Sequence, residues 1–456
     1  MKHILAMTSL LMYLSTPTAW SQTIQTDISN MKALAAEATT PREISEKFND
    51  VISVKDFGAK GDGMHDDTAA IQAAIGHALA TPNYGGRVYF PDGVYLISSA
   101  LNVAGSGIAL IGANANSTIL QATFTTGTFI NIGSSSSTHN SNIRISNLAF
   151  SANHPLITGE AILAQDVNNL NIDHIIMKNN IYDGIRIENP NRGTYGVFIS
   201  HFWFDSILHD GFVFGKNSKQ INPPTDIYLS YGGIQPGQLT AGDAIHAYSF
   251  GGLYLTNVDI TNKGSNFFTK GLNIEPKHNQ VANALICSMC LFDSSRNDNL
   301  HIGGEGKVAD IQFVNSWAST SIDGDNIVIE SGDGILIGSS TIDSAAKNGL
   351  VIMGGRNIQI NANKILGNGC SSSKKFSGIV INSNISDFTI TNNQIGSGGY
   401  FATIGSTIKL KHAISLAPGA SNGYVIIGNR GTGISDEFIE GDVTGSSRYV
   451  AGNIKH

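Results

Sequence analysis

One short pattern returns along most of this chain. A small or polar turn residue, usually followed by a second small one, precedes two apolar residues that flank a single intervening position. The copies read YDGIRIE at Asp183, HDGFVFG at Asp210, GDAIHAY at Asp243, TKGLNIE at Lys270, NDNLHIG at Asp298, GDNIVIE at Asp325, KNGLVIM at Asn348 and FSGIVIN at Ser377, with looser copies at Glu160 and His412. Neighbouring copies lie 23 to 35 residues apart. A repeat in that range signals a solenoid, and alternation inside each copy makes the repeated element a strand rather than a helix. A second alternating run follows in each repeat, as in NLNIDHIIM from Asn169, GLYLTNVDI from Gly252 and NIQINANKI from Asn357. Several β-rich runs per repeat, separated by Gly, Asn, Ser and Asp turns, predict an all-β, right-handed, single-stranded parallel β-helix. Each coil then hydrogen-bonds to the next at about 4.8 Å.

That architecture explains how 456 residues avoid a linker-like break in composition, because a solenoid grows in one dimension where a globular core stops growing. Residues 101–456 are assigned to the coils. Only 14% of residues are charged, and the 51 glycines suit many tight turns. The formal charge of −7 supplies no general attraction to nucleic acid or an anionic membrane, so neither is expected as a partner. Three cysteines are too few for a disulfide framework. Cys287 and Cys290 fall within an apolar run, where positions three apart are expected to face opposite sides, and are read as core thiols.

At the N-terminus, Lys2 and His3 precede the apolar run Ile4 to Leu14, then Pro17 and Ala19-Trp20-Ser21. Residues 1–21 therefore read as a cleaved secretory signal, which places the mature protein outside the cytoplasm, secreted or periplasmic. Residues 22–50 form a polar leader or neck, with Pro41 the expected start of a helix at PREISEKF. In residues 51–100, Asp66 or Asp67 can cap a helix whose Ile71, Ala74, Ile75 and Ala78 make one apolar stripe, suited to sealing the end of the solenoid.

FGAKGDG, DDTAAIQAAI and GGRVYFPDGVYLI resemble the N-terminal signature of the pectate-lyase-like β-helix superfamily, which includes secreted polysaccharide-degrading enzymes and phage tailspike-like proteins. The resemblance implies a polysaccharide as substrate or ligand, and tailspike-like members imply a homotrimer. It belongs mainly to the cap, so Asp62, Asp66 and Asp67 are read as structural. The NTD, GHG and RIK motifs of polygalacturonases are missing, and the single DD lies in the cap.

Stacking the repeats by their own pattern gives one row of intervening residues: Arg186, Val213, His246, Asn273, His301, Val328, Val351 and Val380. Two positions on, a second row reads Glu188, Gly215, Tyr248, Glu275, Gly303, Glu330, Met353 and Asn382. Polar and aromatic groups gather in the middle coils. Carboxylates, imidazoles and an aromatic ring are what sugar chemistry uses, so Glu275, Glu330, His246, His301 and Tyr248 are the catalytic candidates. Arg186, Glu188, Asp243, Lys270, Asn273, Asp298 and Asp325 are the substrate-binding candidates. For a hydrolase, Glu275 and Glu330 divide acid and base roles two coils apart. For a lyase, His246, His301 or Tyr248 removes a proton while Arg186 or Lys270 neutralises a uronate carboxylate. Glycan binding without cleavage is the competing reading. No cofactor and no metal is expected. The turn row Asp183, Asp210, Asp243, Lys270, Asp298 and Asp325 reads first as a structural ladder, since Asp bonds its own turn backbone.

Overall fold

The computed structural model describes residues 31–34, 38–80, 86–133, 140–217, 222–238, 240–383, 385–398, 408–420, 423–441, 443 and 447–456. The expected signal segment lies outside them. Two compact units are present, Met1–Asp50 and Val51–His456. In the first, Lys32–Ala33 pairs antiparallel with Arg42–Glu43, and a helix spans Ile44–Asn49. That helix begins later than Pro41 because Arg42 and Glu43 are engaged in the strand pair. Arg42 closes the unit on Asp50 at 2.7 Å.

The second unit is the parallel β-helix. Its 13-stranded sheet runs from Leu101–Val103 to Ile439–Glu440. Six of its strands carry the site: β1 (Asp183–Glu188), β2 (Phe212–Phe214), β3 (Ile245–Ala247), β4 (Leu272–Ile274), β5 (Leu300–Ile302) and β6 (Ile327–Ile329). Each pairs parallel with the next in the register that the repeats set, Ile185 to Phe212 to Ile245 to Leu272 to Leu300 to Ile327. The inward residues of all six are fully buried. Phe212 packs on Phe202 and Phe204 at 5.1 and 4.8 Å between ring centroids, so the aromatic interior is continuous from coil to coil.

The other strands turn a corner once per coil, and one residue at each corner takes the left-handed conformation. His174, His201, Tyr231, Asn257, Met289, Asn315, Ser339, Ala362 and Asn392 all have positive φ. The corner at Met289 allows Cys287 and Cys290 both to be the core thiols expected of them. The strand Val281–Ser288 ends there and Leu291–Asp293 begins a new direction, so both thiols face the core.

The helix Thr68–Ala80 buries Ile71, Ala74, Ile75 and Ala78 as the stripe requires. Asp66 Oδ1 accepts the Thr68 N–H at 2.9 Å. Asp67 accepts the N–H groups of Lys60 and Gly61, and Asp62 those of Met64 and His65. All three carboxylates hold backbone, which is the structural role expected of them.

Candidate functional site

The turns before several strands of this sheet are joined by a hydrogen-bonded ladder. Asp183 Oδ1 accepts the Asp210 N–H at 2.9 Å, Asp210 Oδ1 the Asp243 N–H at 2.7 Å, and Asp243 Oδ1 the Lys270 N–H at 2.9 Å. Asp325 Oδ1 likewise accepts from Asn348 at 2.6 Å. One oxygen of each Asp is thus spent on the turn. The second oxygen is free to address the side chains above it.

Three residues beyond Asp243 on β3, His246 turns Nδ1 toward that second oxygen at 3.3 Å, with Asp210 Oδ2 at 3.8 Å. A nitrogen facing two carboxylates is the one that carries the proton, which leaves the lone pair on Nε2. Nε2 lies 3.6 Å from Glu275 Oε2 and 3.4 Å from Asn273 Nδ2. Burial holds the imidazole well below its usual range, at about 4, so the ring is neutral at ordinary pH. Asn273, buried on β4, fixes the arrangement by donating to Asp243 Oδ2 at 2.8 Å and Glu275 Oε2 at 3.1 Å. The Tyr248 ring stacks on His246 with centroids 3.9 Å apart. Burial, followed by the surrounding carboxylates, raises its phenol above the usual value and keeps it protonated. Lys277 Nζ stands 4.9 Å from the centre of that ring and Lys216 Nζ 5.9 Å.

A second set repeats this geometry. On β5, His301 Nδ1 contacts Asp298 Oδ2 at 3.0 Å and Nε2 lies 3.6 Å from Glu330 Oε1. Glu330 follows β6 and reaches across Gly303. A methyl group at Gly303 would stand 2.6 Å from Glu330 Oε2, so only a residue without a side chain leaves this space open.

His246, Tyr248, Glu275, Pro276, Lys277, Gly304, Glu305 and Glu330 line one open groove of about 610 Å³. A larger groove of about 890 Å³ is bounded by residues such as Tyr182, Asn180 and Lys263, but its lining contains no imidazole or carboxylate among the described residues. The smaller groove therefore gathers the imidazole and carboxylate candidates.

Several expected residues sit elsewhere. Glu188, expected on the open face, is fully buried, because the chain after β2 folds over it and the Asn217 N–H binds its Oε2 at 2.8 Å. Burial pushes its carboxyl up to about 7. Arg186 is tied to Glu160 at 2.8 Å. It approaches Glu188 Oε1 at 3.5 Å, without the alignment of a hydrogen bond, so Arg186 Nε and Glu188 Oε1 are left unsatisfied. Lys270 Nζ is directed to Asn273 Oδ1 at 3.3 Å. His301 and Asn273 lie beneath the groove rather than in its wall. Asp298 supports His301, and Asp325 holds the turn at Asn348.

The sequence reading passed over Lys277, Lys216 and His209. His209 stacks on Tyr182 at 4.6 Å and contacts Asp183 at 2.8 Å. Its position beside Asp210 in the HDG copy was the available signal. Among the described residues, three groups bring ligand-type atoms within 4.8 Å: Asp173 with His174 and His201, Asp183 with His209 and Asp210, and Asp210 with Asp243 and His246. Hydrogen bonds inside the protein already engage Asp173, Asp183 and Asp243.

Comparison with known proteins agrees with this architecture. Residues 51–234 match the family described as rhamnogalacturonase A/epimerase, pectate lyase-like. Residues 51–234 thus carry the pectate-lyase-like β-helix match. The chain is 31% identical over 227 residues to the plasmin and fibronectin-binding protein A of Streptococcus pneumoniae, covering 44% of this chain and 31% of that protein. It is 44% identical over 75 residues to a mannuronan C5-epimerase of Azotobacter vinelandii, covering 15% of this chain and 7% of the epimerase. The chain thus spans less than a third of the length of these curated relatives. Among solved structures, tailspike protein 3 of bacteriophage CBA120 superposes with a TM-score of 0.64 at 14% identity, over 93% of this chain and 66% of the tailspike chain. At that identity the likeness is one of fold.

Proposed function

We propose that this β-helix is an exported enzyme that cleaves an acidic polysaccharide by β-elimination in the groove of β3 to β6. The observation that carries the reading is the stacked pair of a neutral imidazole and a protonated phenol, His246 on Tyr248, with Lys277 beside them. Elimination needs a base, an acid and a cation close together. Lys277 pairs with the uronate carboxylate, a role first given to Arg186 or Lys270, whose charged groups are engaged elsewhere. His246 Nε2 takes the proton from the carbon beside that carboxylate. The electron pair forms a carbon–carbon double bond as the glycosidic C–O bond on the next carbon breaks. Tyr248 gives its hydroxyl proton to the departing oxygen, and solvent exchange returns both groups to their starting states. The mannuronan C5-epimerase relative is named for chemistry at C5, the carbon beside the carboxylate, which is the atom this base would address.

The testing experiment compares wild type with His246→Ala and Tyr248→Phe on a panel of polyuronates, reading the ultraviolet absorbance of the unsaturated product. Each substitution is expected to lower kcat/KM by about a hundredfold or more, within the usual contribution of general acid–base catalysis. Unchanged rates in both would remove this assignment.

Glu275 and Glu330, which share the groove wall and stand either side of Gly303 in one row, favour a second reading, glycoside hydrolysis with one carboxyl as acid and the other as base. Two strand spacings separate their backbones by roughly 9 to 10 Å, toward the inverting range. Loss of turnover in Glu275→Gln and Glu330→Gln with no unsaturated product would select it. Glycan retention without any product would select the binding role. Export through residues 1–21 and trimer formation remain part of the proposal.

A further inference from the structure

The ladder of turn aspartates has one member whose second oxygen is left over. Three positions after Asp243 stands His246, and three after Asp298 stands His301. Each imidazole turns Nδ1 to the spare oxygen of its own Asp, at 3.3 and 3.0 Å. Three positions after Asp210 stands Val213, which is fully buried and offers no polar group. Asp210 is itself only 1% exposed, and its Oδ2 makes no hydrogen bond. A buried carboxylate oxygen without a partner is costly to keep.

Two imidazole nitrogens approach that oxygen without bonding it, His209 Nδ1 at 3.4 Å and His246 Nδ1 at 3.8 Å. His246 is held by Asp243 and serves the groove. His209 precedes Asp210 in the same turn, and its Nδ1 contacts Asp183 Oδ1 at 2.8 Å. The Tyr182 ring, 4.6 Å away and 5° from parallel, fixes the imidazole plane so that this nitrogen faces both carboxylates. Asp183, His209 and Asp210 thus bring one ligand-type atom each within 4.8 Å of one another. The 2.8 and 3.4 Å from Nδ1 to the two oxygens come close to the roughly 3.4 Å between ligand atoms around a tetrahedral ion with bonds of about 2.1 Å. Among the described residues, the ion-pair partners of Asp183, Asp210 and Asp243 are His209 and His246, so three carboxylates share no lysine or arginine. Burial pushes the Asp210 carboxyl up, His209 opposes the shift, and Asp183 and Asp243 add to it, the mark of a place short of positive charge.

The group of Asp173, His174 and His201 lacks these properties. Asp173 already accepts from Ser200 Oγ at 2.7 Å and faces the two imidazoles at 2.7 and 2.9 Å. The two rings stack 16° from parallel, so their in-plane lone pairs run side by side instead of converging on one point.

We infer that Asp183, His209 and Asp210 form a site for one divalent transition-metal ion of the zinc type, with two carboxylate oxygens and one imidazole nitrogen from consecutive coils as ligands. An imidazole ligand selects such an ion over calcium or magnesium, which take oxygen. The ion replaces the proton between His209 and Asp183, gives Asp210 Oδ2 its missing partner and joins the turns before β1 and β2. The His209 side chain is 28% exposed, so water completes the coordination. Asp243 and His246 keep their own contact, and the inference does not depend on the elimination reading.

The experiment titrates the chelator-treated full chain by calorimetry with Zn²⁺ alone and, for comparison, with Ca²⁺ alone, in wild type, His209→Ala, Asp210→Asn and His201→Ala. Co²⁺ replaces Zn²⁺ in a parallel visible-absorption titration. Wild type should bind one Zn²⁺ at least tenfold tighter than Ca²⁺ and should melt at a higher temperature with Zn²⁺ than without it. His209→Ala and Asp210→Asn should each weaken Zn²⁺ about a hundredfold or more, beyond the usual loss on removing a residue that only supports a ligand, and should remove the Co²⁺ absorption band. His201→Ala should bind as wild type does. No saturable Zn²⁺ site, an affinity unchanged in both His209→Ala and Asp210→Asn, or Ca²⁺ bound as tightly as Zn²⁺ would overturn the inference. Loss of the site in His201→Ala would also overturn it and place the ion at Asp173, His174 and His201.

Discussion

At the scale of single residues, Glu188 shows how an outward position can become an interior one. Alternation along β1 gives the direction of its side chain relative to the coil. It carries no information about the segment after β2 that covers it. With its carboxyl raised from an ordinary 4.5 to about 7 by burial, the folded state binds more protons than the unfolded state between those values. Its contribution to stability is therefore full below pH 4.5 and is lost as pH rises through 7. Wild type should lose about 3 kcal/mol across that window, whereas Glu188→Gln should lose far less. Chemical denaturation at a series of pH values checks this, and parallel curves would show that Glu188 is charged in the folded protein. Gly303 makes the complementary case, in which the missing side chain matters. Gly303→Ala should push Glu330 from its place and lower kcat/KM about tenfold, in keeping with the cost of misplacing a group near the reacting centre. Unchanged kinetics would show that Glu330 has no role.

At the scale of elements, the strands were legible because two-residue alternation is a property of the local chain. The inward and outward rows of β1 to β6 follow the repeats in register. The corners were not legible, because a left-handed residue can be Asn, His, Ala or Met, as at Asn257, His201, Ala362 and Met289, and no single side chain marks it. Cys287 and Cys290 were read as core thiols and are buried, but the corner at Met289 that lets both face inward was not legible. One element joins coils through side chains. Asn363, Asn393 and Asn429 are buried, and the Asn393 amide donates to Ile360 O and Asn429 Oδ1, both at 2.9 Å, while its Oδ1 accepts the Asn363 N–H at 2.9 Å. Asn393→Ala would leave several buried groups without partners. It should lower unfolding free energy by about 2 to 5 kcal/mol, given the cost of each unsatisfied group. A denaturation midpoint equal to wild type would show that the ladder is replaceable by water.

At the scale of the whole molecule, the repeat fixes the solenoid, and the cap helix follows from its apolar stripe. The position of the candidate site was legible only to the level of the middle coils. His246, Tyr248, Glu275 and Glu330 were expected on one face and do line one groove. Lys277 and Lys216 beside the Tyr248 ring were not, because they belong to segments after the strands, where alternation says nothing, while Arg186 and Lys270 are bound to other side chains. The most direct measurement is a time course of the full chain on a polyuronate, recording ultraviolet absorbance and reducing ends together. Elimination at His246 and Tyr248 predicts that the two signals rise in equal molar amounts. Reducing ends without absorbance would contradict it and transfer the chemistry to Glu275 and Glu330, and the absence of both signals across the polyuronates would contradict catalysis in this groove.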